Sequence, residues 1–150
     1  MGRPRPQVRE KPSGAKQAPK VSTTPDTVAH EPLSWHLADV DFHGQWGWAK
    51  LDSDHLADLH KKLLDYERAS LAKLKQQHRA RQVPTAQLCP DAQKRLASIH
   101  RDDAELWELR LGHDKWRAWG VIRGSIFYFL WWDPAHTVCR GGVPRGTRRN

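Results

Sequence analysis

Between Leu106 and Trp132 the hydrophobic pattern has a period of two, and three such stretches follow one another with only turns between them. "LWELRL" (106–111) puts Trp107, Leu109 and Leu111 on one side and Glu108 and Arg110 on the other. Alternation of this kind marks a half-buried strand, because successive side chains point to opposite faces of a sheet. "GHD" is a turn. "KWRAWGVI" (115–122) is a second strand, with Lys115, Arg117, Trp119 and Val121 sharing a face. Arg123-Gly124 reads as a two-residue turn, where glycine supplies the positive φ that tight hairpins need. "SIFYFLWW" (125–132) is apolar on both sides, as expected of a central strand. Residues 106–132 therefore predict a three-stranded antiparallel meander.

The segments before it have to cover that sheet. "LSWHL" (33–37) alternates Leu33, Trp35 and Leu37 and predicts a first strand. "DVDFHGQWGW" predicts a loop whose Phe42, Trp46 and Trp48 cap one end of the core. Asp52 or Ser53 is placed to N-cap a helix, and Leu56, Leu59, Leu63, Tyr66 and Leu74 recur at helical spacing over about 53–78. "RQVP" ends that helix. A second spans about 85–100, with Leu88, Ala92, Leu96 and Ile99 inward and Pro90 either kinking it or marking its first turn. The expected fold class is α+β: an N-terminal strand, a helical hairpin, then the three-stranded antiparallel meander. In this reading the hairpin covers one face of the sheet. The other is partly open and carries charge.

The ends read differently. Residues 1–32 hold six prolines and almost no large apolar side chain, and 141–150 mixes glycines and Pro144 with arginines. Neither can bury enough surface to offset its ordering entropy, so both are expected to be disordered tails around one domain at 33–140. Charge follows the same division. Of the net +8, residues 1–32 supply six basic against three acidic side chains, and 140–150 supplies four arginines and no acid. Basic tails raise affinity for nucleic acid through counterion release but do not read its sequence. No apolar run approaches the roughly 18 residues of a membrane span, and the N-terminus lacks the apolar core of a secretory signal. Two cysteines, Cys89 and Cys139, make no disulfide framework, and their spacing does not suit a zinc module; a reducing cytoplasm is expected.

In "ELWELRL", "KWRAWGVIRGS" and "IFYFLWWDPAHTVC" the chain resembles the RelE/ParE superfamily of bacterial toxins over roughly 33–139. The resemblance implies a small cytoplasmic protein with a strand, a helical hairpin and a curled meander. For the RelE-like branch it implies a metal-independent endoribonuclease that needs no cofactor, acts on mRNA on the ribosome, and pairs with a cognate antitoxin. The chemistry is attack of a ribose 2′-OH on the adjacent phosphate. It needs a base for the 2′-OH proton, cations for the phosphate and an acid for the leaving 5′-oxygen. Strand for strand, Arg117 and Arg110 fall at phosphate-holding positions, and His136 falls near the family's terminal His or Tyr. Glu108 is available as a base, and Cys139 stands where a Tyr is common. Lys115, Arg123 and Trp132 complete the expected nucleic-acid contacts, Trp132 by stacking on a base. The ParE-like branch implies a non-enzymatic alternative, a binding protein such as a gyrase inhibitor or a nucleic-acid-binding accessory factor. For the individual residues there are plainer expectations too. Asp133 caps the turn before Pro134, Cys139 is a small buried hydrophobe, and Glu108 pairs with Arg110 or Arg117 across the sheet.

Overall fold

The computed structural model describes Gly2, residues 30–112 and residues 115–139. Apart from Gly2 and residues 30–32, the two expected tails lie outside the described residues. In chain order the elements are β1 (Ser34–His36), α1 (Ser53–Tyr66), α2 (Leu71–Gln76), β2 (Ala80–Pro84), α3 (Pro90–Ser98), β3 (Glu105–Arg110), β4 (Arg117–Arg123) and β5 (Ile126–Asp133). The fold is α+β, with a five-stranded mixed sheet in the order β1-β5-β4-β3-β2. β1 runs parallel to β5, and the other neighbours are antiparallel. No described helix is long and apolar enough to cross a membrane.

The meander stands where the period of two put it, as β3, β4 and β5. Its second turn is displaced by one residue: Arg123 pairs with Ile126, so Gly124 and Ser125 form the loop, with Gly124 at φ 62°. A bulge between Trp119 and Gly120 leaves Leu130 extra on β5. Leu130 and Trp131 therefore share one face, while Phe127, Phe129 and Trp132 share the other.

The expected helical hairpin does not form. Asp52 does cap α1, its side chain accepting from the His55 N–H at 2.8 Å, but the helix stops at Tyr66. Ser70 caps the short α2 by accepting from the Lys73 N–H. The intervening Ala69 carbonyl is taken by the Leu33 N–H of the incoming N-terminal strand. "RQVP" is part of a strand rather than a helix breaker alone: β2 pairs with β3 along its whole length and ends on Pro84, as an edge strand tolerates. Pro90 is the first residue of α3, not a kink.

Because β2 lies between the helices, they reach opposite faces of the sheet. Leu59, Tyr66, Leu71 and Leu74 of α1 and α2 pack with Trp107, Leu109, Ala118, Phe127, Phe129 and Trp132. Leu88, Ala92 and Leu96 pack on the other face with Leu106, Trp119, Leu130, Trp131, Val138 and Cys139. The face expected to be partly open is thus covered by α3 and by the segment after β5. The aromatic loop straddles the β5 edge through the Asp41 N–H to Leu130 carbonyl and Trp132 N–H to Trp46 carbonyl bonds. Trp46 goes to the α3 face and Trp48 to the α1 face, while Phe42 is exposed and caps nothing.

Gly120, in the middle strand, shows how tightly this sheet is built. A Cβ there would stand 2.1 Å from the Tyr128 carbonyl oxygen and 2.9 Å from the Phe127 ring. Backbone and a fully buried ring cannot both retreat. Gly120→Ala is expected to lower stability by at least about 1–3 kcal/mol, the usual range for overpacking. Urea unfolding checks this, and a parent-like midpoint would contradict the bulge geometry.

Candidate functional site

Alternation along β3 and β4 places Glu108, Arg110 and Arg117 on the face shared with α3, and Arg110 stands directly opposite Arg117 in the pairing register. β2 adds Arg81 opposite Glu108. β5 then ends at Asp133, opposite Arg117. The turn that follows brings the chain back over these side chains. Asp133 is fully buried and builds that turn: Oδ1 accepts from the Thr137 N–H (3.0 Å) and hydroxyl (3.1 Å), and Oδ2 from the Val138 N–H (2.9 Å). This agrees with the turn-capping expectation for Asp133. His136 sits in the turn at φ 56°, a left-handed conformation that His tolerates better than most side chains.

Glu108 is the centre of the cluster. Its carboxylate accepts from Arg81 Nε at 2.8 Å and Nη2 at 3.2 Å, the two-point geometry that a guanidinium fork favours. Arg117 Nε lies 3.7 Å from Oε1, and His136 Nε2 lies 3.4 Å from Oε2. The expectation that Glu108 pairs with Arg110 or Arg117 across the sheet is met by Arg117, and the closer pairing, with Arg81, was not expected. Side-chain exposure falls inward from 34% at Arg81 and 22% at His136 to 7% at Arg117 and 6% at Glu108. Arg110 is exposed and makes no ion pair with a described carboxylate.

The electrostatics follow from this packing. Burial pulls the Arg117 guanidinium below its ordinary value, Glu108 opposes that, and the facing Arg110 adds to it. The hydrogen bonds to Glu108 raise Arg81. Burial, reinforced by Arg117, lowers the His136 imidazole below its ordinary 6.5, so it is neutral at pH 7. With Glu108 beside Nε2, the proton of the neutral ring belongs on Nε2, which leaves Nδ1 as the basic nitrogen.

The structure therefore brings together Glu108, Arg117 and His136, with Arg110 at their open side. It does not expose them equally. A nearly covered, doubly engaged Glu108 is poorly placed to take a proton from substrate. Of the other expected contacts, Lys115 is exposed just before β4. Arg123 lies at the far end of β4, about 20 Å away for six residues of strand, with its guanidinium over the Tyr128 ring. Trp132 is 4% exposed, on the opposite face, packed edge-on against Trp116. It has no free ring face for a base, and the bulge near Leu130 together with the Trp116 contact is the reason. Cys139 is buried and its thiol is pushed up by that burial, as a small hydrophobe's would be.

Two participants were not visible from the sequence. Arg81 joins the cluster only because "RQVP" is a strand. Asp41, from the aromatic loop, takes two bonds from Arg95 of α3 (2.6 and 2.8 Å) and one from Trp131 Nε1 (2.9 Å), pinning α3 to the sheet beside the cluster. No group of His, Cys, Asp and Glu among the described residues is arranged to hold a metal ion. Set against protein-family models, curated proteins and solved structures, the chain matches none.

Proposed function

We propose that the protein is a RelE-like toxin that cleaves mRNA in the cytoplasm by attack of the ribose 2′-oxygen on the neighbouring phosphate. One observation carries this reading most: two arginines, Arg110 and Arg117, face each other across β3 and β4 beside a neutral histidine. Like charges directly opposite on a sheet are unfavourable. The two carboxylates at this end of the sheet are already engaged, Glu108 by Arg81 and Asp133 by the Thr137 and Val138 N–H groups. An anion arriving at Arg110 relieves the repulsion.

In this mechanism Arg110 contacts the scissile phosphate and Arg117 strengthens the positive field behind it. Nδ1 of His136 takes the 2′-OH proton, while Glu108 orients the ring and steadies the imidazolium through Nε2. The new 2′-O–P bond forms as the 5′-O–P bond breaks, giving a 2′,3′-cyclic phosphate and a 5′-hydroxyl whose proton comes from solvent at the open Arg110 side. Glu108 is a positioning residue in this account rather than the base. A cognate antitoxin would have to cover Arg110 and His136.

The experiment is overproduction in a bacterial host, with primer-extension mapping of transcripts. The proposal expects growth arrest with new transcript ends. One observation favours a second reading, a non-enzymatic binding protein of the ParE-like or accessory kind: Glu108 and Arg117 are nearly covered, as members of a purely structural network would be. Arrest with intact transcripts would select it.

A further inference from the structure

The other large basic feature lies on the opposite face, where the end of α1, α2 and the start of the β3–β4 connection enclose a cleft of about 400 Å³. Lys62, Arg68, Lys73 and Arg79 line it. None of the four makes an ion pair with a described carboxylate, and among the described residues Asp65 is the one acid in the lining. The cations are held in place by other means. Arg79 lies over the Tyr66 ring, 4.9 Å from its centroid, and Tyr66 itself donates its hydroxyl proton to the Arg110 carbonyl. Lys62 Nζ stands 5.1 Å over the Trp116 ring. Gly112, at φ 87°, lets Lys62 in: a Cβ on it would be 2.6 Å from Nζ.

Two features fix the class of ligand. Among the described residues Ala69 and Leu74 are the only aliphatic ones lining the cleft, and Leu74 is buried beneath it, so an acidic helix or peptide would find almost no apolar anchor. The cleft also begins next to the candidate site, since the Arg110 N–H is bonded to the Arg79 carbonyl at 2.8 Å. We infer that this cleft is a second phosphate subsite, holding backbone phosphates of the RNA that passes Arg110; as an RNA subsite it rests on the proposed function. It would give single-stranded RNA a path from one face of the sheet around its end to the other, with charge contacts and no reading of bases.

The test uses the full chain and a short 2′-O-methyl oligouridylate, which binds but lacks the attacking hydroxyl. Arg68 and Lys73 are exposed, so the double variant Arg68→Ala/Lys73→Ala should keep the fold, checked by circular dichroism. The subsite predicts binding about tenfold weaker at low salt. It also predicts a log–log salt slope shallower by about 1.4, from two charges at about 0.7 each on a single strand. Cleavage of a dinucleotide, too short to reach the cleft, should be unchanged. Loss of dinucleotide cleavage in the parent would remove the proposed function but leave the binding comparison readable. Parent-like affinity and slope in the double variant would overturn the subsite. So would polyglutamate binding that equals the oligonucleotide's and disappears in the double variant, since that would assign the cleft to an acidic protein segment.

Discussion

Glu108→Ala should destabilise the protein by about 3–5 kcal/mol, the range found when one partner of a buried ion pair is removed. The carboxylate is shared by Arg81, Arg117 and His136. Arg81 is exposed enough for its guanidinium to turn to water, so its share of the loss is small. Arg117 has no such escape at 7% exposure: it keeps Asp133 opposite it and its bond to the Trp116 carbonyl, but it loses the Glu108 carboxylate while Arg110 still faces it. The cost therefore comes mainly from the buried Arg117. Glu108→Gln keeps the shape and one acceptor and should cost less. Denaturant unfolding at pH 7 measures both. A Glu108→Ala variant within about 1 kcal/mol of the parent would show that the cluster is much wetter than its packing implies.

The second large effect is on activity and should leave stability alone. Arg110→Ala is expected to slow RNA cleavage by about 10²-fold or more, the usual loss for one donor to a phosphate whose charge grows in the transition state. Arg110→Lys should recover part of it, because lysine keeps the charge but not the fork. Folding stability should stay within about 0.5 kcal/mol, since an exposed strand arginine facing another arginine contributes no net attraction. His136→Asn should cost about 10²–10⁴-fold as loss of a general base, and Asn tolerates the left-handed backbone there. In the parent, activity should fall as pH drops through the lowered imidazole value of the folded protein rather than at the ordinary one. Stability should fall over the interval from 6.5 down to that lowered value, because the folded state resists protonating His136 that the unfolded chain accepts below 6.5. If Arg110→Ala and His136→Asn both cleave at the parental rate, neither residue has the role assigned here. Arg117→Ala is the weaker experiment: unlike the exposed Arg110, Arg117 is buried against Glu108, which ties its loss to the fold.

That difference shows where the sequence was informative. A period of two specifies which residues of one strand share a face, so Glu108 and Arg110 could be grouped from the letters alone, while the place of Arg117 beside them depends on the pairing register. It does not say what covers that face. An amphipathic helix announces its apolar stripe, not the side of the sheet that receives it, and α3 went to the side that had seemed open. β2 was hidden because Ala80–Pro84 has a single large apolar residue, Val83, and carries Arg81 and Gln82 on an exposed edge. With β2 unread, Arg81 could not be paired with Glu108. The return of His136 depends on three bonds to Asp133, of which only the Asp-Pro turn signal was visible. Trp132 is expected from the sequence to stack on a base, but the bulge turns it to the α1 face, where the Trp116 contact helps bury it.

The most direct measurement of the central claim is the chemistry of the new RNA ends. Transcripts from cells producing the parent, Arg110→Ala or His136→Asn protein can be captured by a ligase specific for 5′-hydroxyl ends. The account predicts abundant 5′-hydroxyl ends, matched by 2′,3′-cyclic phosphates, with the parent, and a fall of about 10²-fold with either variant. Transcripts that stay intact, or ends carrying a 5′-phosphate and a 3′-hydroxyl, would contradict cleavage by 2′-oxygen attack at the Arg110–Arg117–His136 cluster.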